Sequence, residues 1–186
     1  MSLATGARLT ADEFLARDDW PRYTQLIEGE VVVNQPALPH QLLVGRSYAR
    51  LLAWTEEAPG RGLACLSVDV RVTPTNVYGP DVWWVGEERR PAPGQLALVG
   101  VPDLVVEVRS PSTWRFDIGS KRVRYEEAGV AELWLVDTSA ASVLVYRRSA
   151  PQATGFDVAL ELESGDHLTS PLLAGFALDL DEFFSL

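Results

Sequence analysis

The segment VPDLVVEVRSPSTWRFDIGSKRVRY, residues 101–125, carries the pattern from which the fold is predicted. Residues 104–108 within it are dense in β-branched side chains, which indicates a central β-strand. The spacing of apolar residues then predicts a helix over residues 117–128, with Gly129 in the position that often ends a helix. A central strand followed by a helix indicates a domain in which helices pack against a sheet.

The sequence before this segment supplies two further helices and a hairpin. Thr10 and Glu13 form a capping-box pattern for a short helix. Glu28-Gly29 between two apolar runs indicates a hairpin turn. A long amphipathic helix is predicted to begin at His40 and to end at Pro59-Gly60.

The remaining segments are predicted to be strands. Strict alternation in residues 66–72 predicts one strand that forms a hairpin with residues 81–86. Residues 132–148 indicate another hairpin, and residues 156–184 supply edge strands and a short terminal turn. Because there is no internal repeat and no evident linker, we expect a single α+β (mixed α/β) domain over residues 1–186, with additional β-hairpins.

Composition limits the class of protein. The chain has 186 residues, of which 47% are hydrophobic, so it can bury a sizeable core. No apolar run approaches the ~20 residues that span a bilayer, and the first residues lack a signal-peptide pattern. We therefore predict a cytoplasmic protein without a membrane partner. Cys65 is the single cysteine, and its apolar neighbours predict a buried, unreactive thiol.

The net charge limits the ways in which the chain can bind nucleic acid. A formal net charge of −10 argues against a broad electrostatic surface for DNA, because non-specific binding depends on cations that replace phosphate counterions. Five basic residues nevertheless lie within residues 109–124, where Asp117 is the only acid. Any contact with nucleic acid is therefore expected to be local.

Carboxylates are the main candidates for chemistry, because the chain lacks the common serine-hydrolase, P-loop, dinucleotide and paired-cysteine motifs. Asp103 and Glu107 share one face of a strand but lie about 13 Å apart along an extended chain, too far to hold one metal ion together. A partner for Glu107 must come from a neighbouring strand, and Asp81 is the candidate. Two converging carboxylates repel each other unless a cation lies between them, and Mg²⁺ suits such an all-oxygen site.

Lys121 is unusual because it is the only lysine among 16 cationic residues. Ile118, Lys121, Tyr125 and Ala128 recur at helical spacing, which places the lysine on the stripe that faces the sheet. A buried ammonium needs an acidic or aqueous partner. Near a metal-held water it could orient the nucleophile or stabilise charge that develops on a phosphate.

Each of these residues also has an ordinary structural explanation. Asp81 can simply begin a strand, Glu107 can pair with Arg109 in the core, and Lys121 can extend its ammonium to solvent. Three separate structural explanations are less satisfactory than a single site that accounts for all three residues.

The combined pattern resembles the Uma family of bacterial restriction endonucleases, which is similar to the PD-(D/E)xK nuclease superfamily. The resemblance covers nearly the whole chain, in the segments 26–33, 80–81, 102–108, 110–112, 129–130, 134–137 and 175–176 and at His40, Asp117, Lys121 and Tyr125. It implies a restriction-endonuclease-like mixed β-sheet flanked by helices. It also implies that Asp81 and Glu107 hold Mg²⁺ or Mn²⁺.

Two positions depart from the family pattern. The superfamily usually has a lysine two residues after the second acid, where this chain has Arg109. The resemblance implies that Lys121 on the following helix takes that role. The family often has a glutamate at the position of Gln25, and its replacement here would lower the affinity for metal if that glutamate is a ligand.

The sequence favours a metal-dependent endonuclease that hydrolyses DNA, with Asp81, Glu107 and Lys121 as catalytic residues. The candidate substrate contacts are Arg109, Arg115, Tyr125 and His40, together with the neighbouring Arg122 and Arg124. Any sequence specificity is expected to need a homodimer or a protein partner, since a small acidic domain offers little surface for a duplex. The alternatives are a non-catalytic nuclease-like interaction module, which Gln25 and the acidic charge favour, and a hydrolase of a small phosphate compound.

Overall fold

Three β-sheets and five α-helices make up the part of the chain that this computed structural model describes, residues 8–95, 98–111 and 113–185. The strands are β1 (Thr24–Ile27), β2 (Glu30–Val33), β3 (Leu63–Leu66), β4 (Val70–Thr73), β5 (Asn76–Tyr78), β6 (Val82–Val85), β7 (Leu104–Val108), β8 (Glu132–Asp137), β9 (Ser142–Arg147), β10 (Val158–Leu162), β11 (His167–Thr169) and β12 (Ala177–Asp179). The helices are α1 (Ala11–Leu15), α2 (Leu38–Glu56), α3 (Trp114–Phe116), α4 (Arg122–Ala128) and α5 (Leu180–Phe184). A π-helical turn, Asp117–Lys121, joins α3 to α4, and a 3₁₀ turn covers Glu87–Arg89.

A mixed sheet in the order β10-β9-β8-β7-β6-β3 contains the predicted central strand β7. β7 runs parallel to β8, whereas the other neighbouring strands are antiparallel. Parallel neighbours need a crossover connection, and the helical segment from α3 to α4 supplies it. A four-stranded antiparallel sheet, β2-β1-β5-β4, and a hairpin of β11 and β12 complete the strands. The expected mixed sheet flanked by helices is confirmed.

The two faces of the six-stranded sheet belong to different cores. Val106, with Val82, Val108 and Trp134, packs against α2 and the C-terminal segment. Val105 packs with Leu133 and Leu135 against Tyr125 of α4 and residues of the four-stranded sheet. Because side chains alternate along a strand, Glu107 follows Val105 onto this second face. The fold therefore places the carboxylate of Glu107 between the sheet and the helix that carries Lys121.

Several local predictions are confirmed. Thr10 and Glu13 cap α1 reciprocally, as the capping box requires. The turn between β1 and β2 consists of Glu28 and Gly29 with φ of 50° and 79°, which is the conformation that a tight two-residue hairpin needs. α4 ends at Gly129, which adopts a left-handed conformation. No helix of the described residues is long and apolar enough to cross a membrane.

The prediction of a single strand over residues 66–72 is wrong. β3 ends at Leu66 and pairs with β6, whereas β4 begins at Val70 and pairs with β5 in the other sheet. The three residues between them connect the two sheets, and both Leu66 and Val68 are exposed. Alternation continued across this connection, but the chain changes sheets there, so the alternating residues do not share one buried face.

The continuous helix predicted over residues 117–128 is interrupted. Gly119 has φ of −106° and ψ of −109°, which lie outside the helical region, within the π-helical turn. This change of phase exposes 45% of Ile118 and buries Asp117. Lys121 and Tyr125 are buried as predicted, but Asp117, rather than Ile118, precedes them on the face that contacts the sheet.

Cys65 differs in part from its prediction. It lies in β3 and is half-buried rather than fully buried. Burial raises the pKa of its thiol, which keeps the thiol protonated and weakly nucleophilic. An unreactive thiol remains the expectation.

Candidate active site

Asp81, the residue before β6, lies beside Glu107 of β7. β6 pairs with β7 so that Val82 lies opposite Val106, and one further step along the ladder places Asp81 opposite Glu107. The backbone N–H of Val108 donates to Asp81 Oδ2 over 2.8 Å, which holds this carboxylate beside β7. The structure thus brings the two acids of the predicted metal site together.

Lys121 forms the centre of a buried ionic cluster with Glu107 and Asp117. Its Nζ lies 2.9 Å from Glu107 Oε1 and 2.9 Å from Asp117 Oδ1. Only 1% of Lys121 is exposed, so the structure excludes the alternative that its ammonium extends to solvent. The alternative pairing of Glu107 with Arg109 is also wrong, because Arg109 pairs with Asp137.

Burial dominates the titration of these groups. It raises the pKa of Glu107 to about 8, because the attraction of Lys121 only partly offsets burial and the charges of Asp117 and Asp81. Burial likewise raises the pKa of Asp117. Lys121 has a raised pKa because the two adjoining carboxylates outweigh the effect of burial. Two carboxylates thus share one ammonium, which leaves a formal charge of −1 when every group is ionised, and Asp81 adds a further carboxylate near Glu107.

Two tyrosines line the cluster. The hydroxyl of Tyr125 donates to Glu107 Oε1 over 2.7 Å, on the same oxygen that Lys121 contacts. The ring of Tyr78 lies 5.4 Å from Lys121 Nζ and packs edge-on against Tyr125. Tyr125, a predicted substrate contact, is fully buried and instead holds one oxygen of Glu107.

His40 lies behind Asp81. Its Nδ1 is 3.0 Å from the Val108 carbonyl oxygen, and its Nε2 is 3.3 Å from Asp81 Oδ1. Burial lowers the pKa of His40, but the hydrogen bond and charge of Asp81 outweigh burial, so the pKa lies above its ordinary value. The buried imidazole therefore orients Asp81 from the side of α2.

The basic residues after Glu107 are mostly engaged with acids. Arg109 donates to both carboxylate oxygens of Asp137, at 2.9 and 2.8 Å. Arg124 pairs with Glu28 and Glu127, and Arg122 lies 3.7 Å from Glu126. Arg115 is exposed and, in the described part of the chain, has no carboxylate partner, although it lies over the ring of Phe116. Arg115 is thus the cation of this segment best placed to meet a phosphate.

Asp117 is the residue of this cluster whose role the sequence did not predict. Thr113 Oγ1 donates to Asp117 Oδ2 over 3.1 Å, and Ser110 Oγ lies 2.7 Å from Thr113 Oγ1 and donates to Asn34 Oδ1 over 2.9 Å. This chain of hydroxyls fixes the carboxylate that holds Lys121. The four-residue spacing between Asp117 and Lys121 was the available signal.

A cleft of about 440 Å³ opens beside Asp81. Its walls include Tyr23, Gln25, Asn34, Gln41 and Asp69. Gln25 replaces the glutamate of the resemblance and is 7% exposed, and its Oε1 has no hydrogen-bond partner among the described residues. Asp81 therefore borders a cleft that is open at the surface.

Asp81 and Glu107 are the side chains of this site that could bind a divalent metal ion. Among the described residues, no three His, Cys, Asp or Glu side chains are arranged to hold an ion. Asp81 and Glu107 nevertheless present carboxylate oxygens, which Mg²⁺ prefers. Both hydrogen bonds that the described side chains donate to Glu107 reach Oε1. The surplus negative charge and the oxygen donors fit a hard divalent cation, with further ligands from water.

Comparisons with known proteins concern the fold and the family of this chain. A crystal structure from Anabaena variabilis, described as "a putative nuclease belonging to DUF820", has a TM-score of 0.79 and 21% identity, and the match covers 95% of this chain and 98% of that one. That likeness shows a shared fold. Comparison with curated proteins finds no match. The family model Uma2, described as "Putative restriction endonuclease", matches residues 11–181, so this chain belongs to the Uma2 family.

Proposed function

We propose that this protein is a Mg²⁺- or Mn²⁺-dependent endonuclease that hydrolyses phosphodiester bonds in DNA. The observation that carries this proposal is the placement of Asp81 opposite Glu107, with Lys121 in contact with Glu107. Membership of the Uma2 family supports a nuclease. A buried cluster with surplus negative charge is also costly to keep without a cation.

Asp81 and Glu107 would hold the metal ion. When bound, the ion would supply Lewis acidity and lower the pKa of a coordinated water. Tyr125 and Lys121 both engage Glu107 Oε1, which leaves Oε2 as the oxygen to face a ligand. His40 and the Val108 N–H orient Asp81. The protein thus fixes both carboxylates before metal and substrate arrive.

Lys121 would stabilise negative charge on the scissile phosphate or orient the attacking water. An ammonium has three N–H donors, of which Asp117 and Glu107 engage two. Under this proposal the third would donate to a water or a phosphate oxygen that enters beside Glu107. Because Asp117 and Glu107 keep the pKa of Lys121 raised, this lysine acts as a fixed positive charge and not as a general base.

Titration with Mn²⁺ by isothermal calorimetry tests the site. Wild-type protein is expected to bind with carboxylate-dependent heat, and Asp81→Asn is expected to lose it. The matched control is Asp103→Asn, because Asp103 directly precedes β7 as Asp81 precedes β6, but it contacts Gly86 and Arg89 instead of the cluster. No binding by wild type at millimolar Mn²⁺, or equal binding by Asp81→Asn, would contradict the metal site. As a second experiment, cleavage of plasmid DNA is measured for the wild type and the two variants.

A non-catalytic interaction module is the second candidate. It is favoured by Gln25 and by the pairing of Arg109, Arg122 and Arg124 with carboxylates, which leaves few cations for phosphate. Under this alternative the wild-type titration shows no metal binding, and none of the proteins nicks DNA. A hydrolase of a small phosphate compound predicts metal binding together with turnover of small phosphodiesters but not of DNA.

A further inference from the structure

The cleft beside Asp81 has the size and walls of a small-ligand site, and it is separate from the Lys121 cluster. Its volume of about 440 Å³ falls within the range of about 300–1,000 Å³ that is usual for such sites. Leu66 and Val68 give it an apolar wall, and Gln25 and Gln41 give it amide groups. Asp81, proposed above as a metal ligand, lies on its edge.

We propose that this cleft binds an unpaired nucleobase, so that the substrate is single-stranded or locally opened nucleic acid. The inference rests on the proposed function, because it places the phosphate of the bound nucleotide near Asp81. A base inside a duplex cannot enter the cleft, since its edge is paired and its faces are stacked.

The charge of the cleft favours a neutral base over an anion. Asp69 and Asp81 contribute two carboxylates, and Arg22 is the one cation among the residues that line it. A phosphate inside this space would be repelled by both carboxylates, whereas a neutral base carries no charge that they would repel. The phosphate of the same nucleotide would instead lie outside the cleft, where a divalent cation at Asp81 could contact it.

Gln25, in the wall of the cleft, carries a buried hydrogen-bond acceptor, Oε1, without a partner among the described residues. Its side chain is nine-tenths buried. A buried polar atom without a partner is costly, and such atoms usually meet a ligand, a water or another side chain. A rotation of the Gln25 side chain toward the cleft would let an exocyclic amine or ring N–H of a nucleobase donate to this oxygen.

Tyr23 supplies a surface on which the base can stack. It is the last residue of the turn before β1, and it is 47% exposed. Its φ of 61° is uncommon for a tyrosine, and backbone strain of this kind is concentrated at ligand sites. An exposed aromatic ring beside an apolar wall is an arrangement that single-strand-binding proteins use for stacking.

Fluorescence anisotropy with a labelled mixed-sequence single strand, and with the same strand in a duplex, tests the cleft in the presence of Ca²⁺. We expect wild-type protein to bind the single strand at least about tenfold more tightly than the duplex. Tyr23→Asn should weaken single-strand binding by about 5- to 150-fold, the range for loss of one base–aromatic stack. Asn tolerates a positive φ, so this variant removes the ring without adding strain.

Two further variants separate the ring from general effects. Tyr23→Phe keeps the stacking surface and should bind like wild type. Leu160→Ala, on β10 at the far edge of the six-stranded sheet, is the exposed control and should also bind like wild type. If Tyr23→Asn does not fold, as judged by circular dichroism, Gln25→Leu gives the second test and should also weaken single-strand binding.

Equal affinity for single strand and duplex, no single-strand binding by wild type, or unchanged affinity in a folded Tyr23→Asn overturns the cleft proposal. The metal titration is read separately. If Asp81→Asn abolishes metal binding and duplex cleavage while Tyr23→Asn has no effect, the endonuclease stands and the base-binding cleft does not. If the single strand binds through Tyr23 but no metal binds, the cleft stands without the nuclease.

Discussion

Replacement of Lys121 by methionine should destabilise the metal-free protein strongly at neutral and alkaline pH. The side chain is 1% exposed and contacts two carboxylates at 2.9 Å each, so the substitution leaves Glu107 and Asp117 buried without a cation. Removal of one partner from a buried ion pair costs about 3–5 kcal/mol. For a domain of this size each kcal/mol lowers Tm by about 2–4 °C, so we expect a fall of about 6–20 °C.

The effect should depend on pH with a definite sign. The pKa of Glu107 and of Asp117 is already raised by burial, and loss of the lysine raises both further. Both acids can take up protons at about pH 5, which removes the unpaired charge, so the loss of stability should be smaller there than at about pH 8. Thermal unfolding followed by circular dichroism at the two pH values measures the difference.

Two controls define the outcome that would refute this reasoning. Arg50→Met removes a cation from an exposed pair with Glu182 and should cost about 1 kcal/mol or less. Adding Glu107→Gln to Lys121→Met should recover part of the lost stability, because it removes one of the two unpaired charges. A fall in Tm no larger than that of Arg50→Met, or the same fall at both pH values, would show that Lys121 does not balance these carboxylates.

Three further predictions concern other parts of the molecule. Folding raises the pKa of Glu107 from 4.5 to about 8, so between these pH values the folded metal-free protein binds more protons than the unfolded chain. Its free energy of unfolding should therefore fall as pH rises from about 4.5 to about 8. Urea denaturation should show a weaker dependence of this free energy on pH for Glu107→Gln. Glu132→Ala should cost about 1–3 kcal/mol by urea denaturation, because the buried Trp134 Nε1–H and Ser170 hydroxyl lose their acceptor, and a stability equal to wild type would contradict this. Gly62→Ala should lower the free energy of unfolding more than Gly60→Ala in the same measurement. Both glycines have φ near +80° (76° and 82°), but only a Cβ at Gly62 would collide with the Val85 carbonyl oxygen. Equal losses of stability would contradict the collision.

Features that depend on local sequence were predicted well. The central strand β7 was predictable because its β-branched residues are buried on both faces of the sheet. The turn at Glu28-Gly29 and the end of α4 at Gly129 were predictable because glycine readily adopts the positive φ that each position needs. Asp81, Glu107 and Lys121 stood out because acids on adjoining strands and a lone inward lysine need partners. Their contacts agree with that expectation, whereas their catalytic roles remain predictions.

Features that depend on pairing between distant segments were not predictable from the sequence. The division of residues 66–72 between two sheets results from which strands β3 and β4 pair with, and alternation is the same in either sheet. Asp117 turned inward because a π-helical turn shifts the phase of the helix at Gly119. The cleft combines residues from β1, α2 and the connection after β3, which only the folded chain brings together.

The register of β6 against β7, and not the connection between these strands, places Asp81 beside Glu107. Three backbone pairs, from Val82–Val106 to Trp84–Leu104, fix that register. A slip of one residue would turn one acid toward the opposite face of the sheet. Substitutions that shift this register would therefore separate the two acids although both remain in the sequence.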